Sequence, residues 1–136
     1  MASTAEFLTP LDLRAHTEPG EWEVRAPLIY RSASGRQYIV TVGFITDLAS
    51  IPRILHPIIH PNDNSRKPAV LHDLLYCLKH GTREAADALF LEALEAEGVN
   101  LITRRIMWLA VRAWGWRYWN ARTGITSEDF IDEPKS

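Results

Sequence analysis

Cysteine is nearly absent. Cys77 is the only one in 136 residues, so no internal disulfide can form and a four-cysteine zinc site is excluded. Long apolar runs are missing too: no stretch reaches the roughly 18 apolar residues of a membrane span. Met1 to His16 lacks the apolar core of a signal peptide. There is no excess charge of either sign, since 15 Lys+Arg stand against 17 Asp+Glu for a formal charge of −2. That balance excludes a general polycation coating nucleic acid. Internal repeats and low-complexity segments are absent as well. What remains is 46% hydrophobic and 24% charged, the composition of a single globular domain with one core, and a soluble protein made in a cytosol is expected.

Residues 1–20 are polar and aperiodic, and read as an N-terminal arm. From Trp22 the period becomes two: Trp22, Val24 and Ala26 alternate with Glu21, Glu23 and Arg25, and Tyr38, Val40, Val42 and Phe44 share a second face. The cluster Ser32-Ala33-Ser34-Gly35-Arg36 joins the two runs, which reads as an antiparallel hairpin. Pro27 marks an edge strand or a bulge. Three helices follow. Pro68 suits a first turn and Gly81 a stop, giving about 68–80. Thr82 is a capping residue before a helix over 83–97, which Gly98 ends. Asn100 or Thr103 caps a third helix running to about Ala121, with Gly115 as a break point. The expected fold is α+β, an N-terminal antiparallel β-hairpin or small sheet followed by a three-helix bundle. It divides into the arm, a domain over 21–122 and an acidic, frayed tail over 123–136.

The first helix has two faces. Val70, Leu71, Leu74, Leu75 and Leu78 share one, and His72, Asp73, Tyr76, Cys77 and His80 the other. A base, a carboxylate and a phenol on one rigid face can form a catalytic or metal surface, or be polar surface residues with the Tyr76 ring packed. On the second helix Asp87 falls inside the stripe of Ala86, Leu89, Phe90, Leu91, Ala93 and Leu94. An ionised carboxylate facing a core needs partners. His72 and Tyr76, on the antiparallel neighbour, are the candidates; the alternatives are Arg83, four residues back, or water. A buried Asp–His bond would fix the imidazole tautomer and raise its basicity.

Asp47, in Thr46-Asp47-Leu48-Ala49-Ser50, either completes an oxygen-rich cation site with Asp73 or caps the turn near Pro52. A site of Asp47, His72 and Asp73 would suit zinc or manganese, an all-oxygen one calcium. The third helix carries Arg104, Arg105, Arg112 and Arg122 with Trp108 and Trp119 among them, and no acid. Ile106, Ala110, Ala113 and Trp114 should face the core. Such a basic, aromatic face suits an anionic membrane surface or an acidic partner, or it is local stacking of arginine on tryptophan. Nucleic acid is disfavoured because the basic charge is confined to this helix.

The segments Gly43-Phe44-Ile45-Thr46-Asp47-Leu48-Ala49-Ser50-Ile51-Pro52, Ala69-Val70-Leu71-His72-Asp73-Leu74-Leu75-Tyr76 and Thr82-Arg83-Glu84-Ala85-Ala86-Asp87-Ala88-Leu89-Phe90 resemble a family of phage and prophage proteins. It is known as the domain of unknown function 1353 family. The resemblance extends from about Tyr38 to Trp116 and implies a phage origin without an activity: a protein of the host cytoplasm or the virion, with virion or tail proteins among its partners. His72-Asp73-Leu74-Leu75-Tyr76, with Ala86-Asp87-Ala88-Leu89-Phe90, is also similar to the two-helix core of phospholipase A2. That resemblance implies His72 as general base, Asp73 as a calcium ligand, and Asp87 orienting His72 with help from Tyr76. The glycine-rich calcium loop is reduced to one glycine, Gly43, and the helix-bridging disulfides have no counterpart.

Two expectations follow. One is a small hydrolase of an ester or lipid, with His72, Asp87 and Tyr76 catalytic, a divalent cation (calcium or zinc) at Asp73 and Asp47, and Arg104, Arg105, Trp108 and Arg112 against a membrane or partner. The other is a non-enzymatic virion, tail or host-interaction protein whose His–Asp–Tyr cluster is structural.

Overall fold

The alternating segment does form strands, but it pairs them differently from the expected hairpin. The structure, a computed structural model, describes residues 4–15, 21–46, 64–78, 81–121 and 131–132. The strands in chain order are β1 (Glu6–Phe7), β2 (Leu13–Ala15), β3 (Trp22–Val24), β4 (Leu28–Arg31), β5 (Gln37–Val40) and β6 (Ile45–Thr46). Then come α1 (Arg66–Leu78), α2 (Arg83–Ala96), α3 (Leu101–Trp114), α4 (Trp116–Ala121) and a last strand, β7 (Ile131–Asp132). One sheet runs β1-β4-β5-β7 and the other β2-β3-β6, with every pairing antiparallel. The fold is thus α+β, with the strands ahead of the helices except for β7.

The hairpin is β4–β5, in register from Leu28 opposite Val40 to Arg31 opposite Gln37. Its loop is the expected turn cluster: Gly35 takes a φ of 91° and donates its N–H to the Ser32 carbonyl at 2.9 Å, a conformation glycine adopts at no steric cost. The first arm, however, is Leu28–Arg31 rather than the run from Trp22. Pro27 has no N–H for a ladder and the chain bends at Ala26, so Trp22–Val24 pairs instead with β2 and β6. The second face also stops early. Tyr38 and Val40 are buried, but the chain turns at Val42 and Gly43, leaving Val42 exposed. Three strands lie where none was expected: β1 and β2 in the arm, and β7 in the tail, paired with the edge of β5.

The helices fall close to their expected bounds. Thr82 caps α2 by accepting from the Ala85 N–H at 3.0 Å, and Asn100 caps α3 by accepting from Thr103 at 2.8 Å. Every residue of α1 from Pro68 to Leu78 is buried. The two faces of α1 therefore meet two partners rather than core and solvent. Val70, Leu74 and Leu78 pack with Val24, Leu28 and Val40, while Leu71, Leu75 and Tyr76 pack with Tyr30, Tyr38, Ala86 and Ala93. A third cluster, Phe90, Leu94, Val99, Met107 and Val111, joins α2 to α3.

On α3 the buried residues are Met107, Ala110 and Val111. Of the expected core face only Ala110 is fully inside, and Ala113 and Trp114 are exposed. The helix is turned by about a fifth of its circumference from that expectation, and two of its arginines, Arg104 and Arg112, reach polar acceptors on the inner side.

The sheet is tied to α2 by Tyr30. Its hydroxyl donates to Glu92 Oε1 at 2.5 Å, and burial, with the Glu92 charge beside it, pushes its pKa far up. Tyr30→Phe removes the donor and leaves that carboxylate oxygen short of a partner. Urea denaturation should show a loss of about 1–2 kcal/mol; an unchanged midpoint would mean that the bond adds nothing.

Candidate functional site

Asp87 lies on the inner face of α2, one turn after the Thr82 cap, at a position the apolar stripe forces inward. Its side chain is completely buried, and both of its oxygens are engaged. Oδ1 meets His72 Nε2 at 2.7 Å and accepts from the Tyr76 hydroxyl at 2.6 Å. Both partners come from one face of α1, because residues four apart on a helix are stacked. Oδ2 accepts from Arg112 Nη1 of α3 at 2.7 Å, with Arg83 Nη1 farther off at 3.5 Å. Arg83 also donates to the backbone carbonyls of Val111 and Arg112 at 3.1 and 3.3 Å, at the end of α3 where the helix dipole is negative. One carboxylate thus joins three helices.

Burial alone would raise the Asp87 pKa. The bonds from His72, Tyr76 and Arg112 outweigh it and hold the carboxyl below its ordinary value. Tyr76 moves the other way: burial and the bond to an anion push its pKa up, so it is a phenol at neutral pH and donates to Asp87. Since an ionised carboxylate can only accept, His72 Nε2 donates to Asp87 Oδ1.

Aromatic packing encloses the cluster. The His72 ring is 4.2 Å from the Tyr76 ring and 4.6 Å from Phe90, centroid to centroid. Trp119 of α4 stands edge-on to Tyr76 at 5.3 Å. Gly115, between α3 and α4, makes this closure possible. A Cβ there would stand 2.4 Å from the Tyr76 hydroxyl and 2.3 Å from the Val111 carbonyl, inside any van der Waals limit.

The residues singled out in the sequence fall into three groups. His72, Tyr76 and Asp87 come together. Asp73 is buried on α1, whereas Asp47 and Ser50 lie outside the described residues. Among the described residues no three His, Cys, Asp or Glu side chains gather as a cation site requires. The proposed contact face on α3 does not assemble on one open surface. Arg105 is exposed and Trp108 half-buried, Arg104 donates to the Val99 carbonyl at 3.1 Å, and Arg112 is turned inward to Asp87. A buried anion draws in a cation wherever one is within reach. Arg112 as part of the cluster was missed by sequence reasoning. Arg83 carried a signal, its i, i+4 spacing from Asp87; Arg112 carried none, because only the packing of α3 on α2 brings it there.

Fold and cluster together define a small α+β protein whose helices converge on one buried, ionised carboxylate. A family model described as "Protein of unknown function (DUF1353)" matches residues 22–111, well over half of the chain, and the chain belongs to that family. No curated protein and no solved structure matches it.

A carboxyl whose pKa is lower folded than unfolded contributes stability that is present above its unfolded value and lost as pH falls through the folded one. The stability gap between wild type and Asp87→Asn should therefore not narrow from neutral pH down to about pH 4, the ordinary Asp value, and should narrow below it. Urea titrations at a series of pH values measure this. A gap that closes well above that pH would show that the carboxyl is not held ionised.

Proposed function

We propose that the protein is a non-enzymatic, phage-encoded binding protein, a virion or tail component or one directed at a host protein, in which the His72–Tyr76–Asp87 cluster holds the helices in register. The observation that carries this reading is the saturation of Asp87. Arg112 at 2.7 Å and Arg83 at 3.5 Å already balance its charge, which weakens the help it could give to an imidazolium forming at His72. A carboxylate bonded from three helices, by contrast, is well suited to fixing how they pack. The phage origin is what the resemblance of the sequence to phage and prophage proteins implies.

A second reading, hydrolysis of an ester or lipid, is favoured by a specific geometry: the Asp87 carboxylate bonded to His72 Nε2 and backed by the Tyr76 hydroxyl. In that reading Asp87 orients the ring and His72 takes a proton from an attacking water. Calcium or zinc at Asp73 and Asp47 belongs to this reading. The described residues do not gather into a cation site, and no step is routed through a metal.

The test is turnover of short-chain esters and phospholipid vesicles, with calcium, with zinc and with chelator. The binding reading predicts rates equal to those of His72→Ala. It also predicts that Asp87→Ala, which leaves Arg112 facing a gap, costs about 3–5 kcal/mol of stability. Hydrolysis abolished by His72→Ala in a folded protein would overturn it in favour of the second reading.

A further inference from the structure

The face of α3 turned away from the core is apolar. Ile102 is 72% exposed, Leu109 58% and Trp116, at the start of α4, 50%. Ile106 is half-buried and Ala113 exposed between them. The spacings in this series are four, three, four and three residues, a narrow seam of the kind through which one helix packs lengthwise on another. It spans about 21 Å, at 1.5 Å per residue. Leu101 and Trp114, also exposed, stand off the seam near the ends of α3.

Charge narrows the choice of occupant. From Leu101 to Ala121 there are four arginines and no acid. Arg112 and Arg104 are taken by Asp87 and the Val99 carbonyl. Arg105 and Arg117 are exposed and flank the seam on opposite sides, with the Arg117 guanidinium 5.5 Å from the Trp116 ring centroid. A second copy docked by the same face would set arginine against arginine with no acid to offset it. Of the chain's own acidic tail, Ile131–Asp132 pairs with the edge of β5. A membrane-surface helix presents a wide apolar face, whereas this seam follows a single line with Arg105 on one side and Arg117 on the other.

We propose that this seam docks an amphipathic helix of a partner protein, apolar along one edge and carrying Asp or Glu beside it to meet Arg105 and Arg117. The proposal rests on the binding reading and names the partner's chemistry. The Asp87 cluster lies behind the seam and holds α3 through Arg112, so the docking face is presented on a fixed support.

Two synthetic four-heptad peptides test it, both with leucine at a and d, one with glutamate and one with lysine at e and g. The full-length protein should bind the glutamate peptide and not the lysine peptide. Raising salt from about 50 to about 500 mM should weaken binding several-fold. Arg105→Glu with Arg117→Glu should weaken it at least about tenfold, as expected from reversing two flanking charges. Leu109→Asp, at an exposed position that leaves the core intact, should abolish it with the melting temperature unchanged. Failure to bind the glutamate peptide, or equal binding of both peptides, overturns the proposal. So does a dimer that Leu109→Asp dissociates, or flotation with phosphatidylserine vesicles in place of peptide binding. These results replace the partner and leave the binding reading standing; only hydrolysis dependent on His72 removes that reading.

Discussion

The ionised carboxylate of Asp87 is fully buried, and a lone charge there would cost several kcal/mol. That cost dictates much of what surrounds it. His72 and Tyr76 must lie on the adjoining face of α1, four residues apart, so the register of α1 against α2 is set by one acceptor atom. Arg112 must reach Oδ2, which fixes the rotation of α3 about its axis. Arg83, four residues before Asp87, must then divide itself between that carboxylate and the end of α3. Apolar contacts supply most of the driving force for the fold, but they are non-directional. The polar cluster selects one arrangement among several that would bury similar area.

The rotation of α3 has consequences on both of its sides. Inward, Met107 and Val111 complete a cluster with Phe90 and Leu94. Outward, Ile106 and Ala113 of the expected core face fall in the apolar seam with Ile102, Leu109 and Trp116. The apolar seam and the inward reach of Arg112 are thus two results of the same constraint. Gly115 belongs to it as well, since only a residue without a Cβ lets the α3–α4 junction approach the Tyr76 hydroxyl.

Helix positions were legible in the sequence because their punctuation is local: Thr82 and Asn100 act as caps through their own side chains. The inward position of Asp87, and its proximity to His72 and Tyr76, follow from helical periodicity and the shortness of the α1–α2 connection. Strand pairing was less legible. The period of two identified Trp22–Val24 and Gln37–Val40 as strands, but partners are chosen by long-range packing, and Pro27 ended one run where simple alternation continued it. The short strands β1, β2 and β7 have too few residues to show a period at all. Arg112 is the most instructive miss. Its neighbours on the same helix face are Trp108, Arg105 and Trp116, and nothing local distinguishes an arginine that faces water from one that will meet a buried carboxylate on another helix.

A double-mutant cycle on Asp87 and Arg112 tests the dependence on this cluster most directly. Asp87→Asn, Arg112→Met and the double variant would be compared with wild type by urea denaturation at neutral pH. A direct ion pair to a buried carboxylate predicts a coupling energy of about 1–3 kcal/mol, the double variant being less destabilised than the sum of the singles. A coupling indistinguishable from zero would contradict the account, because the two side chains would then not act on each other in the folded protein.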